Sequence, residues 1–509
     1  MIPFLSIIIL LPLLGGIALL FFPREQTNAI RWTALGIAWA NLMIVVGLLL
    51  AYAQANATAG PASSGALFFT EQQSWIPAIG INYSLGVDGI SILLVALTAL
   101  LSVVCIAASF RIEQRLKNYM AFMLLLESGI IGVFLATNLF LFYIFWELML
   151  IPAYFLVGSW GGERRIYAAL KFVLYTSVGS LLALAGIVAV GYYHAAHGCS
   201  YTLDFAALLS PTDASGHSCA IGSNVQIWLF LALAAAFAVK VPLIPFHSWL
   251  PDAYSEAPAP VTAMLAGAMS KTGAYAFLRF CLPLFPSAAH TLAPIFNILA
   301  VAGILYCALL ALVQTDIKRL LGYSSISHLG IVMLGIFAFN VQGIEGAVLQ
   351  MVNHGITIAA LFLIAGFIEA RAGTRRLNDF GGLAARIPWL ATVMLIAVLS
   401  SLGLPGLNNF AGEFLTFLGV FRHSVIFGVL GTAVVVPASW YLIRFFLTMM
   451  EGPRRTEGPV AALERKGTLS DITLGEFLTL LPLLALIFYI GIQPAPLTFL
   501  LEPTVNLLL

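Results

Sequence analysis

Charge is the scarcest feature of this 509-residue chain: Asp, Glu, Lys and Arg make up 9% of it, against about 25% in ordinary soluble proteins. With 61% of residues hydrophobic, too little polar surface remains for a water-facing body, and an integral membrane protein is expected. The net charge is +1, with no basic patch or RNA-binding signature, so nucleic acid is not an expected partner. Cysteine is sparse too, five in all, without a CxxC pair. No iron–sulfur or zinc site is therefore encoded. Cys105, Cys281 and Cys307 lie in apolar runs as small packing residues. Neither a GxGxxG nor a GxxxxGKS/T loop occurs, and no nucleotide or redox cofactor is expected in this chain. His328 and His354 belong to no HxxxH or HExxH pattern, which leaves out the usual metal spacings. Only MIP precedes the first apolar run, without a basic segment or a small-residue cleavage site, so a retained first helix is expected.

What the chain has is apolar runs. A membrane span needs about 20 mostly apolar residues. Fourteen such intervals are expected, at 3–22, 31–52, 86–110, 119–136, 139–160, 167–193, 225–247, 259–283, 293–314, 322–340, 343–370, 387–420, 424–450 and 473–493. The fold class is an all-α polytopic membrane protein, and proline and glycine interrupt the seventh and twelfth spans. Lysine and arginine set the orientation. Eighteen of the 23 lie in alternate loops, from Arg24 and Arg31 through Arg111, Arg164 and Lys318 to Arg376, Arg454, Arg465 and Lys466. The opposite loops at 53–85, 194–224 and 284–292 contain none. Both termini are therefore expected outside. Loop 194–224 holds Cys199 and Cys219, and an oxidising compartment would permit a disulfide there. Residues 53–85 are Ala/Gly/Ser-rich and then turn-like, and 451–471 reads as an inner loop with a short surface helix.

The chemistry concentrates between Ala236 and Phe280. Lys240 and Lys271 sit inside apolar runs, and Pro242 and Pro245 follow Lys240. Each proline removes a helical N–H and clashes with the carbonyl four residues back. The helix should break there, freeing carbonyls near Ala238 and Val241. Five spans later SSLGLPGLNNFAGEF places Pro405 between Gly403 and Gly406, with Glu413 following. A five-helix shift reverses orientation, so spans 4–8 and 9–13 read as inverted repeats, whose ion sites fall at broken helices. The expected divisions are 1–118, the repeats 119–283 and 284–450, and 451–509.

Glu127, Glu147, Lys240, Lys271, His328, His354 and Glu413 are the ionisable residues expected within spans. Any one of them can be half of a structural ion pair; such residues are also costly and face a bundle interior or cavity. Burial disfavours the charged forms of lysine and glutamate alike, and histidine already titrates near neutrality, so the set suits proton relay. His247, Asp252 and Glu256 lie at the inner end of span seven, where they serve either proton uptake or loop hydrogen bonding.

The segments FYIFWELMLIPAYFLVGSWGG, KVPLIPFHSWLPDAYSEAPAPVTAMLAGAMSKTGAYAFLRF, DIKRLLGYSSISHLG, MVNHGITIAALFLIAG and GLPGLNNFAGEF resemble the antiporter-like membrane subunits of proton-pumping NADH–quinone oxidoreductase, respiratory complex I. Within that family the chain is most similar to the subunit M, or mitochondrial subunit 4, type. SEAP follows WLPDAY, Glu413 stands where the L and N types carry lysine, and no long lateral helix follows span fourteen. The resemblance implies a half-channel in each repeat. It also implies Glu147 paired with Lys240, Lys271 as the central relay, His328 and His354 as connectors, and Glu413 as the terminal carrier. Glu127 and His247 are secondary candidates. It further implies L-, N- and K-type partners in a bacterial inner membrane, with NADH, FMN, iron–sulfur clusters and quinone held by other subunits. The alternatives are a subunit of an Mrp-type sodium/proton antiporter or of a membrane-bound hydrogenase, or a membrane scaffold that pumps nothing.

Overall fold

A computed structural model describes residues 3–58, 67–76, 81–197, 199–210, 212, 218–466 and 469–509. The side chains of Arg465 and Lys466, and residues 59–66, 77–80 and 213–217, lie outside the described residues. Helix occupies each interval expected to be a span. The chain begins with α1 (Phe4–Leu19) and α2 (Thr27–Thr58), then a two-stranded antiparallel hairpin, β1 (Phe68–Ile76) and β2 (Ile81–Val87). The hairpin corrects the turn-like reading of 53–85: alternating FFTEQQSWI and INYSLGV pair as strands on one face of the bundle. Next come α3 (Gly89–Ala108), α4 (Leu116–Leu135), α5 (Leu139–Leu148), α6 (Leu150–Trp160), α7 (Arg165–Ala196) and the short α8 (Phe205–Leu209). Span five is thus two segments, α5 and α6. Pro152 has no N–H for the Leu148 carbonyl, and the helix bends at Met149.

The first broken span follows as α9 (Ser223–Lys240) and α10 (Trp249–Glu256). Span eight is built from α11 (Ala259–Met264), α12 (Lys271–Ala276) and α13 (Leu282–Leu284), joined by two π-helical turns at Leu265–Met269 and Phe277–Cys281. Then run α14 (Pro286–Val313), α15 (Ile317–Ile336) and α16 (Val341–Ala372). The second broken span is α17 (Pro388–Ser401) and α18 (Asn408–His423), followed by α19 (Val425–Thr432), α20 (Val435–Phe446), α21 (Pro459–Lys466) and α22 (Leu474–Ile492). The residues after span fourteen form one further helix, α23 (Ala495–Leu508), packed on α3 and α16.

Eleven helical stretches among the described residues are long and apolar enough to cross a membrane. Side-chain caps set several starts: Asp88 and Ser91 form a capping box at α3, and Asn138 accepts from the amides of Phe140 and Leu141 at α5. The most apolar stretch of α16 is 94% buried and that of α22 only 33%. The centre of the bundle is therefore α3, α4, α15 and α16, and a polar group on α16 is cut off from lipid.

Charge sorts the two faces. On one, Glu476 accepts Arg111 and Arg371, Asp252 accepts Lys171 and Arg319, Arg375 binds Asp316 and Glu256, and Lys318 binds Glu369, all at 2.5–2.9 Å. On the other lie the hairpin and a Cys199–Cys219 disulfide. Asp204 there accepts from Asn82, Ser84 and Asn138. Both chain ends meet that second face: Glu71 of the hairpin accepts from the amides of Leu5 and Ser6, and Thr504 accepts from the Gly89 amide.

Candidate functional site

The first break falls where the prolines put it. α9 ends at Lys240, and residues 241–248 turn before α10. The freed carbonyls do not serve the lysine. That of Ala238 accepts the Leu243 amide at 2.9 Å, and that of Val239 accepts the Trp249 indole N–H at 3.0 Å. The ammonium of Lys240 instead lies over the rings of Trp146, at 5.2 Å, and Phe172, at 5.7 Å, and makes no hydrogen bond. Nor does it pair with Glu147: among the described residues no ion pair joins them, and the Glu147 carboxylate accepts a short hydrogen bond from Ser180. The two groups are close without direct contact, and Trp146, next to Glu147 on α5, turns its π face to the cation.

α12 packs directly on this break. A Cβ at Gly273 would lie 3.0 Å from the Phe237 carbonyl oxygen and from the Val241 amide. Two residues earlier Lys271 is fully buried. It follows the first π turn, a feature that recurs at functional sites. Its ammonium donates to the Ala266 carbonyl at 2.6 Å and to the Ser270 hydroxyl at 3.2 Å, and lies 2.8 Å from His354 Nδ1.

From there the line continues across α16 to α15 and α18. The His354 and His328 rings are 5.4 Å apart, inclined at 34°. His328 Nδ1 lies 3.0 Å from Glu413 Oε1, which also accepts from Gln350 Nε2 at 3.0 Å. Nε2 of both histidines, Oε1 of Gln350 and Oδ1 of Asn353 are buried without a protein partner. Lys271, His354, His328 and Glu413 thus form one line from the first break to the second.

The second break separates α17 from α18 at residues 402–407. Gly403 and Gly406 turn it with φ of +72° and +92°, angles that glycine adopts without a steric penalty. A Cβ on Gly403 would also stand 2.9 Å from Glu413 Oε2. The turn is tied to α16 by a reciprocal pair: Asn353 donates to the Asn408 carbonyl at 2.7 Å and Asn408 to the Asn353 carbonyl at 3.0 Å. Ser400 donates to Asn408 Oδ1 at 2.6 Å. Sequence reasoning missed Ser180, Gln350, Asn353 and Asn408. Neutral polar residues are common in spans, and only their partners mark these: Gln350 by its bond to Glu413, Ser180 by its bond to Glu147, and Asn353 and Asn408 by their reciprocal tie at the second break.

The remaining candidates fall elsewhere. Glu127 is fully buried and accepts from Asn41 at 2.7 Å and Ser102 at 2.6 Å, on α2 and α3, outside the line. His247 lies in the first break against Tyr306, its Nδ1 unpartnered. Asp252 and Glu256 are held by Lys171, Arg319 and Arg375 on the basic face. Asp88 and Arg279, near span ends, form a buried ion pair at 2.7 Å.

A polytopic helical membrane protein with ionisable side chains on two broken helices is the class this architecture defines. Residues 136–436 match the family described as NADH:quinone oxidoreductase/Mrp antiporter, TM. The chain belongs to that family. It is 39% identical to NADH-quinone oxidoreductase subunit M of Rhodobacter capsulatus over 98% of this chain and 95% of that one. Among solved structures it resembles a chain of respiratory complex I from Thermus thermophilus, with TM-score 0.84 and 29% identity over 99% of both chains. A chain of the Mrp complex from Dietzia shares the fold, with TM-score 0.83 and 21% identity over 99% of this chain and 97% of that one.

Proposed function

We propose that this chain is the subunit-M-type, proton-translocating membrane subunit of an NADH–quinone oxidoreductase. The observation that carries the reading is the line Lys271–His354–His328–Glu413, whose successive members stand in hydrogen-bonding or ring contact across α12, α16, α15 and α18. Every member exchanges a proton by ordinary acid–base chemistry, and buried polar atoms along such a line are where bridging water binds. Protons pass from Lys240 to Lys271, along the histidines, and leave from Glu413. The redox steps, with NADH, FMN, iron–sulfur clusters and quinone, belong to other subunits. The neighbours in the membrane arm are of L, N and K type. The chain crosses a bacterial inner membrane fourteen times, with both termini outside and helices 4–8 and 9–13 as inverted repeats. The matching breaks and the one-sided arginines support that arrangement.

Glu147 is the switch for Lys240. At about 4 Å and an effective dielectric near 20, a carboxylate favours the charged lysine by about 4 kcal/mol, comparable with the several kcal/mol that burial costs an ion. With Glu147 turned to Ser180 and Lys240 facing Trp146, the two groups stand in the separated arrangement; a swing of Glu147 toward Lys240 would load the proton. The Mrp reading is less favoured, since Glu413 occupies the position where antiporter siblings carry lysine. Glu413→Gln tests the proposal in inverted membrane vesicles. Proton pumping and coupled NADH–quinone turnover should be lost while the complex stays assembled. Unchanged pumping per electron in that variant removes Glu413 as terminal carrier.

A further inference from the structure

On the face opposite the arginines, the chain after α7 folds back over the end of that helix. Tyr201 packs on Tyr192 and so close to Gly191 that a Cβ there would lie 2.6 Å from its ring. The Tyr193 hydroxyl accepts from the Gly222 amide at 3.2 Å, which fastens the far end of the same loop. Between these ties stand Cys199 and Cys219, joined as a disulfide with their Cα atoms 6.0 Å apart, and His194 in the last turn of α7. All three are buried, His194 to 5% exposure. The two sulfurs and a ring nitrogen of His194 lie within 4.8 Å of one another. His194 Nδ1 is 2.7 Å from the Ser200 carbonyl oxygen. A carbonyl only accepts, so Nδ1 carries the proton and the lone pair of the neutral ring is on Nε2. That nitrogen is buried without a partner.

We propose that these three side chains form a redox-gated zinc site: once the disulfide is reduced, the Cys199 and Cys219 thiolates and the His194 imidazole bind one zinc ion, and a water completes the tetrahedron. A dithiol reductant supplies two electrons and two protons, its own sulfurs pairing as the Cys199–Cys219 bond opens to two thiols. Zinc binding then releases those two protons. Two thiolates balance the charge of the ion, so the buried site is neutral and avoids the cost of an unpaired charge. Thiolates about 2.3 Å from a tetrahedral zinc stand about 3.8 Å apart, a separation that rotation about the two Cα–Cβ bonds provides. Sulfur and imidazole suit zinc, and not the oxygen-seeking calcium or magnesium. A proton held on the other ring nitrogen by a backbone carbonyl is the usual support of a metal-binding histidine. The tyrosine ties do not depend on the disulfide, so they keep the ligands together in both redox states.

The test uses the whole complex in detergent, reduced with tris(2-carboxyethyl)phosphine, desalted without air and titrated with radioactive zinc. The zinc retained by a Cys199→Ser/Cys219→Ser complex treated in the same way is subtracted. The reduced complex should hold one zinc ion above that reference, and the unreduced complex none. In His194→Asn the amide N–H can keep the bond to the Ser200 carbonyl while the zinc ligand is lost. The zinc concentration for half-filling should then rise at least about tenfold, since even the outer partners of a ligand are worth 10- to 100-fold in affinity. No additional zinc on reduction, equal zinc without reduction, or unchanged half-filling in His194→Asn overturns the proposal. A measurement that needs no variant is alkylation of the reduced, unaltered complex with iodoacetamide, mapped peptide by peptide by mass spectrometry. Zinc should slow the reaction of Cys199 and Cys219 together, and equal rates with and without zinc also overturn the proposal.

Discussion

Gly355→Ala is the sharpest probe of the relay, because it adds one methyl group to the seam that sets the Lys271–His354 distance. A Cβ at Gly355 would lie 2.7 Å from the Gly267 carbonyl oxygen and 2.7 Å from Leu97 Cδ2, where ordinary contact begins at 3.4 Å. Leu97 can turn aside, but the Gly267 carbonyl is backbone in the π turn Leu265–Met269. The two helices must then part by about 0.7 Å, at an overpacking cost of roughly 1–3 kcal/mol. Lys271 moves with the π turn, since its ammonium is anchored to the Ala266 carbonyl and the Ser270 hydroxyl. Its 2.8 Å contact with His354 opens to about 3.5 Å, past the limit of a hydrogen bond. Losing a hydrogen bond to a charged group costs about 1.5–3 kcal/mol, which is roughly 10- to 100-fold in a transfer rate. Coupled NADH–quinone turnover and pumping in membrane vesicles should fall by at least about tenfold, with subunit content on immunoblots unchanged. Gly303→Ala is the control, because a Cβ there meets nothing within 4 Å. An assembled Gly355→Ala complex with turnover near that of the Gly303→Ala control would refute the reasoning.

At the first break, Glu147→Gln and Lys240→Ala should each abolish pumping in an assembled complex, while Glu147→Asp keeps substantial activity because its charge survives. Normal pumping in Glu147→Gln, or loss of the subunit in both charge-removing variants, dismisses the switch. Asp88→Asn leaves the Arg279 guanidinium buried without its carboxylate, at about 3–5 kcal/mol. The subunit should then be depleted from membranes, and Asp88→Asn/Arg279→Met should restore part of it; normal levels in the single variant contradict this. Reporter fusions near Arg165, Lys318 and Arg376 should report the cytoplasmic side and fusions in 194–224 the outside, and the reverse pattern overturns the proposed orientation.

The sequence by itself determined where helices form, where two of them break and which costly groups they carry. Each of these is a local property. Hydropathy over about 20 residues marks a span, and Pro242, Pro245 and Pro405 remove N–H groups whatever surrounds them. Lys240, Lys271, His328, His354 and Glu413 stand out because charge in an apolar run is rare. The one-sided arginines were equally visible, and the structure gathers them on one face. The hairpin at 68–87 was less legible, because short strands carry a weaker pattern than spans.

Only the tertiary structure decided which groups meet. Lys271 reaches His354 because Gly267 and Gly355 let the π turn lie against α16, and Glu413 reaches Gln350 because Gly346 and Gly412 let α18 lie against α16. In lipid, helices gain little from burying apolar surface against one another, so close backbone approach and polar contacts choose their partners. Glycine marks where such an approach can occur, but not which helix arrives. That is why the Lys271–Glu413 line was legible as a set of residues and the expected Glu147–Lys240 contact was not realised. The structure gave the glutamate to Ser180 and the lysine to Trp146.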